Sequence, residues 1–162
     1  MPGKALDRID CKILDILQED GSISNLELAE KVNLSPTPCL RRVRQMEESG
    51  IISRQVTLLD PTEIGLDLTI YISICLDSQT PEQLANFERS VSEYPEVVEC
   101  ALITGSDADY LLKVVMPDMA GYQNFLLNEL NLIPGIASIR TSFRLRSVVE
   151  RTQLPLGHVR RK

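Results

Sequence analysis

Along residues 6–19 the apolar positions Leu6, Ile9, Ile13, Ile16 and Leu17 recur at steps of three and four, the spacing of one helical face. Asp7 is placed to cap the first turn, and Asp20-Gly21 ends the segment. Ser24-Asn25-Leu26-Glu27 reads as a capping box opening a second helix that runs to about Val32, with Leu28, Ala29 and Val32 inward. Asn33-Leu34-Ser35 breaks the pattern, because Asn accepts the left-handed backbone that a tight turn between helices requires. Ser35-Pro36 then reads as an N-cap followed by proline at the first helical position. The third helix continues through Cys39, Leu40, Val43 and Met46 and stops at Gly50. The run 51–59 is rich in β-formers and predicts a wing or a linking strand. Asp60-Pro61 closes that run and Gly65 marks a second break, so the domain boundary is expected between about 60 and 66.

Beyond the boundary the period changes to two. Leu68, Ile70, Ile72, Ile74 and Leu76 alternate with Thr69, Tyr71, Ser73 and Cys75, which predicts a strand. Thr80-Pro81-Glu82-Gln83 opens a helix that ends near Tyr94-Pro95. Residues 97–104 and 110–116 predict two strands joined by the loop 105–109. A helix from Asp118 through Leu130 stops at Pro134-Gly135, and a fourth strand is expected from Ile136 to about Val149. The predicted fold class is therefore two domains. One is an all-α winged helix-turn-helix domain over residues 1–60 with its linking strand, and the other an α+β ferredoxin-like (βαββαβ) domain over 66–150. A basic tail follows over 151–162. Two helices cover only one face of such a sheet, and the uncovered face invites a second copy of the chain.

Charge and composition narrow the chemistry. The net charge of −6 argues against a nucleic-acid partner until it is mapped along the chain. Residues 1–60 carry eight Lys/Arg and ten Asp/Glu, residues 61–150 five and thirteen, and residues 151–162 four and none, so the acidity lies in the second domain. No segment has the apolar length of a membrane span and the first residues lack a signal-peptide pattern, which predicts the cytoplasm and no membrane partner. Cys11, Cys39, Cys75 and Cys100 show no CxxC spacing, and no metal site is expected; Cys11, Cys75 and Cys100 read as buried thiols. The one histidine, His158, stands in the basic tail, a poor place for a catalytic base. With no phosphate-binding glycine loop either, the pattern predicts no catalytic residues, no cofactor and no enzyme.

In a helix-turn-helix the second helix presents its N-terminal half to base edges in the major groove. Here that helix offers Ser35, Thr37, Arg41, Arg42, Arg44 and Gln45. From Ser35 to Met46 it has three arginines and no acid. Arginine meets guanine edges or phosphates, and hydroxyls suit phosphates, so double-stranded DNA is the expected partner.

The loop after the second predicted strand is the other concentration of chemistry. An α-amino acid needs a carboxylate or carbonyls for its ammonium, and amides or hydroxyls for its carboxylate. Thr104, Gly105, Ser106 and Asp107 supply both kinds on a glycine-hinged turn, with Thr141 and Ser142 on the fourth strand as weaker candidates. An ordinary polar hairpin loop would read the same way from composition alone.

The run Leu34-Ser35-Pro36-Thr37-Pro38-Cys39-Leu40-Arg41-Arg42-Val43-Arg44 closely resembles the recognition helix of the Lrp/AsnC (feast/famine) family of transcription regulators. Leu6-Asp7-Arg8-Ile9-Asp10 and Gly21-Ser22-Ile23-Ser24-Asn25 resemble the family's opening. Gly105 followed by Asp109-Tyr110-Leu111-Leu112-Lys113, then Pro117-Asp118-Met119 and Leu132-Ile133-Pro134-Gly135, are similar to its amino-acid-sensing domain. The resemblance implies a homodimer that assembles into an octamer. It also implies a free amino acid effector bound between neighbouring sensing domains, leucine first and methionine or another apolar amino acid next. Asp109 and Tyr110 join the candidate effector residues on this ground. Asn33 stands where members often carry Gly. The loop 105–110 is one residue longer than in relatives, which leaves Asp107 and Asp109 as alternatives for meeting the ligand. Two other functions compete: an architectural DNA-organising protein without effector response, and an amino-acid-metabolism enzyme with an appended helical domain.

Overall fold

The computed structural model describes residues 6–105 and 107–159. The chain forms two compact units, one of residues 1–58 with 149–162 and the other of residues 59–148.

The first unit is a three-helix domain: α1 (Arg8–Glu19), α2 (Asn25–Val32) and α3 (Pro36–Glu48). Each helix starts where its capping residue stands. Asp7 accepts the Ile9 and Asp10 amides, both at 2.8 Å, and the Asp10 side chain returns a bond from the Asp7 amide at 3.1 Å. Ser24 and Glu27 form the same reciprocal box at α2. Asn33 ends α2 in the left-handed region at φ 57°, and its amide and that of Leu34 return to the last turn of the helix. Ser35 sits in N-cap geometry at α3, but its hydroxyl makes no capping bond. The reason is Pro38, which occupies the third helical position and has no N–H to offer. The core is Ile13, Leu14, Leu28, Ala29, Val32, Cys39, Val43 and Met46.

Residues 51–59 do not form the expected strand. They run without ladder bonds, leaving Val56, Leu58 and Leu59 exposed. Strand propensity needs a partner edge to become a strand, and the described residues supply none at this run.

The second unit is a four-stranded antiparallel sheet, ordered β2-β3-β1-β4, with two helices. Its elements are β1 (Leu68–Leu76), α4 (Pro81–Ser92), β2 (Val97–Leu102), β3 (Tyr110–Met116), α5 (Met119–Asn128) and β4 (Ile136–Phe143). Short 3₁₀ turns at Thr62–Ile64 and Leu130–Leu132 flank it. Both helices begin at side-chain caps, Thr80 to the Gln83 amide and Asp118 to the Gly121 amide. β2 ends at Leu102 rather than Thr104, and β4 at Phe143 rather than near Val149. Leu145, Val148 and Val149 are exposed beyond it, so apolar composition alone extended the expected strand too far.

Even positions of β1 and β3 face the helices: Ile70, Ile72, Ile74, Leu112 and Val114 are fully buried with Phe87, Val91, Tyr122 and Phe125. Register carries this inward side to Thr141 and Ile139 of β4, paired with Ile72 and Ile74. Tyr71, Lys113, Arg140 and Ser142 lie on the opposite, helix-free side. Of the thiols, Cys11 and Cys39 are buried, Cys75 is half-buried and Cys100 is exposed; the expectation that Cys100 is buried fails because β2 is an edge strand.

Candidate DNA-reading helix and effector loop

Helical spacing sorts the arginines of α3. Cys39, Val43 and Met46 bury one stripe. Thr37, Arg41 and Gln45, one turn apart, form an exposed stripe, with Leu40 and Arg44 beside it. Ser35 and Thr37 are exposed at the helix entry. Thus Ser35, Thr37, Arg41, Arg44 and Gln45 come together on one outward surface. Asn25 sets the entry point of α3, donating from Nδ2 to the Pro36 carbonyl at 3.0 Å.

Arg42 lies elsewhere. It is half-buried, and its Nη1 meets Asp7 Oδ2 at 2.6 Å and Asp10 Oδ1 at 2.7 Å. The same two carboxylates form the capping box of α1, so one guanidinium fastens α3 to the start of α1. Proposed from sequence as a DNA contact, Arg42 is engaged within the unit. Its signal was in the sequence: three residues after Cys39 and four before Met46, it falls at the edge of the buried stripe.

Partial burial raises the Asp7 carboxyl, but the Asp10 amide, the Arg42 guanidinium and the Ile9 amide together hold it below its ordinary value. A depressed carboxylate contributes stability above its unfolded pKa, and that contribution is lost as pH falls through the folded value. Acidification below the ordinary aspartate range should therefore lower the unfolding temperature of the wild-type helical unit more than that of Asp7→Asn. Melting curves over an acid series check this, and parallel pH profiles would refute the clamp's electrostatic role.

The effector candidates separate into two groups. Asp109 is buried, its Oδ2 accepting the Leu76 amide at 2.7 Å and its Oδ1 the Gln79 side chain at 2.5 Å. Its own amide donates to Ile74 and its carbonyl accepts from Ile103. Asp109 therefore closes the end of the sheet. Tyr110 is also internal: its ring stacks on Phe87 at 4.6 Å and its hydroxyl donates to Glu88 at 2.7 Å. Burial first, and then that bond to Glu88, push its pKa well up. Thr141 faces the helices and shares a 2.6 Å hydrogen bond with the Tyr122 hydroxyl.

The second group is displayed. Thr104, Gly105 and Asp107 are exposed, and Gly105 turns the chain at φ 85°. Ser106 lies outside the described residues. Asp107 Oδ2 stands 3.6 Å from Arg140 Nη1, both side chains largely in solvent. Ser142 lies two residues from Arg140 on the same helix-free side. Arg140 was missed in the sequence; an outward cation two positions before Ser142 was its available signal. A cavity of about 280 Å³ between α4 and β2, lined by Glu88, Val91, Cys100 and Leu102, includes Tyr110 but none of the displayed loop residues. Among the described residues, no group of three or more His, Cys, Asp or Glu could hold a metal, and no helix is long and apolar enough to cross a membrane.

Comparison with known proteins gives each unit a family match. Residues 6–53 match the family model described as winged helix-turn-helix DNA-binding, and residues 69–154 the Lrp/AsnC ligand binding domain. The chain is 46% identical to the Bkd operon transcriptional regulator of Pseudomonas aeruginosa, over 93% of this chain and 98% of that protein. It is 42% identical to the leucine-responsive regulatory protein of Escherichia coli, over 94% and 93%. A transcriptional regulator of Neisseria meningitidis solved as its L-Met complex superposes with a TM-score of 0.91 at 39% identity, covering 95% of this chain and 99% of that one. An AsnC family regulator from Agrobacterium tumefaciens gives 0.89 at 44%, over 94% and 99%. With a helix-turn-helix unit, a ligand-binding sheet unit and relatives that are regulators rather than enzymes, the chain belongs to the Lrp/AsnC family of transcription regulators.

Proposed function

We propose that this regulator acts in the cytoplasm, reads duplex DNA through Ser35, Thr37, Arg41, Arg44 and Gln45, and responds to a free apolar amino acid, methionine or leucine, held at Thr104, Gly105, Asp107, Arg140 and Ser142. The observation that carries it is the split of roles on α3, where Arg42 is clamped inward while Arg41 and Arg44 stay outward. The amino-acid reading is supported by the Asp107–Arg140 pair. An exposed pair at 3.6 Å is worth little to stability, so exchanging it for the two ends of a zwitterion costs little. The carboxylate would take the ligand's ammonium, and the guanidinium its carboxylate. Methionine and leucine are named because one similar regulator was solved as its L-Met complex and another is named leucine-responsive.

Two features support assembly through a dimer toward an octamer. The sheet has a side without helices, carrying Tyr71, and the run 51–59 leaves strand-forming residues unpaired. The test has two readouts. Duplex affinity should fall steeply as salt rises, because bound arginines displace condensed counterions. A thermal-shift panel of the standard amino acids should show stabilisation by a small apolar subset, since a ligand that binds only the folded state raises its stability. Salt-independent or absent DNA binding overturns the first half of the reading, and a flat amino-acid panel the second.

A further inference from the structure

α4 lays one stripe on the sheet. Phe87 and Val91, one turn apart, are buried among the strands. Glu88 and Ser92, the next residue in each turn, are exposed and stand over β2, the edge strand. The register of β2 on β3 shifts between Val97 and Glu99, which leaves Val98 as an extra residue. Val97, Cys100 and Leu102 pair with Val114, Leu112 and Tyr110, so these three stand on the helix side. Between them and α4 lies the cavity of about 280 Å³, with buried Tyr110 at its base and exposed Val98 and Leu102 at its rim.

The walls are aliphatic and the charge is negative. Glu88 and Glu99 are among the lining residues, and no Lys, Arg or His is. Glu99 pairs with Lys113 on the helix-free side, so the carboxylate turned to the cavity is that of Glu88. The Tyr110 hydroxyl donates to Glu88 Oε1 at 2.7 Å and holds it there, and an ionised carboxylate accepts several further bonds. Anionic forms are disfavoured at this place: partial burial first, and then the charge of Glu88, raise the Cys100 thiol above its ordinary value. The surrounding unit, residues 59–148, holds five Lys/Arg against thirteen Asp/Glu. The volume lies just under the roughly 300–1,000 Å³ of drug-sized pockets, which limits the occupant to a small molecule.

We propose that this cavity is a ligand site apart from the exposed loop, taking a small alkylammonium whose charge meets Glu88 and whose chain lies against Val91, Val97 and Leu102. A free amino acid fits it poorly, because no cation lines the cavity to receive the ligand's carboxylate. An added strand fits poorly as well, because the extra residue at Val98 interrupts the edge along which it would pair.

The test uses the full chain and three probes with one apolar chain: isopentylamine, leucine, and isocaproate, which lacks the ammonium. Cys100 lines the cavity and is exposed, so its rate of reaction with the neutral reagent dipyridyl disulfide, read by peptide mass, reports occupancy. Buried Cys11 and Cys39 report any general opening of the fold. Isopentylamine is expected to slow the reaction of Cys100 about tenfold at saturation, with leucine and isocaproate leaving it unchanged. Glu88→Gln keeps an acceptor for Tyr110 and is expected to raise the amine concentration needed for protection about tenfold. Leu102→Ala, at an exposed position, is expected to raise it about threefold. Equal protection by leucine or isocaproate overturns the selectivity for a cation, and protection unchanged in Glu88→Gln overturns the role of its carboxylate. A Cys100 that is unreactive without any probe and becomes reactive on dilution is covered by a second copy of the chain, which overturns the ligand site.

Discussion

Arg41→Ala is expected to cost about 1–3 kcal/mol of affinity for duplex DNA, leaving the unfolding temperature unchanged. Its neighbour should behave differently. Arg42→Ala removes the partner of Asp7 and Asp10, and Asp10 lies in a part-buried site where its carboxylate also serves the cap of α1. Leaving that carboxylate without its cation costs about 2 kcal/mol of folding stability. Any loss of DNA affinity then follows from a loosened α3 rather than from a missing contact. The discriminating measurement pairs thermal unfolding with duplex titration for both variants. A double-mutant cycle between Arg42 and Asp10 should show coupling, and one between Arg41 and Asp10 none. Arg41→Ala with wild-type affinity, or Arg42→Ala with wild-type stability, would reverse the assignment.

That contrast shows how far the sequence can be read. The three helices and the βαββαβ order were legible because each rests on local chemistry: a capping box at Ser24, a side-chain cap at Thr80 that lacks the reciprocal bond of a box, a left-handed Asn33, and a clean change of period at Leu68. Two kinds of information were not local. The run 51–59 has the residues of a strand, but a strand exists only with a neighbour, and no neighbour is written into its own letters. Arg42 reads like Arg41 in composition; its partners lie 35 and 32 residues away, and only its position on the helical wheel hints that it turns inward. The C-terminal segment is the same kind of case. Gln18 and Leu154 are separated by 136 residues, so their pairing is a property of the fold. The loop 104–110 mixes both situations, since its glycine turn is local while the burial of Asp109 depends on β1 and Gln79.

The loop also yields the second large effect. Asp109→Ala deletes the acceptor for the buried Leu76 amide and for Gln79, and a buried donor left without its charged partner costs about 2–3 kcal/mol. Asp107→Ala, by contrast, truncates a side chain that stands in solvent, where substitutions shift stability by no more than about 0.5 kcal/mol. Its expected effect is on response: the amino acids that stabilise wild type in the thermal-shift panel should lose that effect, and Arg140→Ala should lose it as well. Asp109 is engaged at the end of the sheet while Asp107 stands in solvent, so under the proposed function Asp107 is the aspartate offered to the ligand. Asp109→Ala with wild-type stability and no amino-acid response would exchange their roles. A full response in both Asp107→Ala and Arg140→Ala would move the effector away from the exposed loop, toward the cavity beneath Tyr110, whose lining then becomes the surface to mutate.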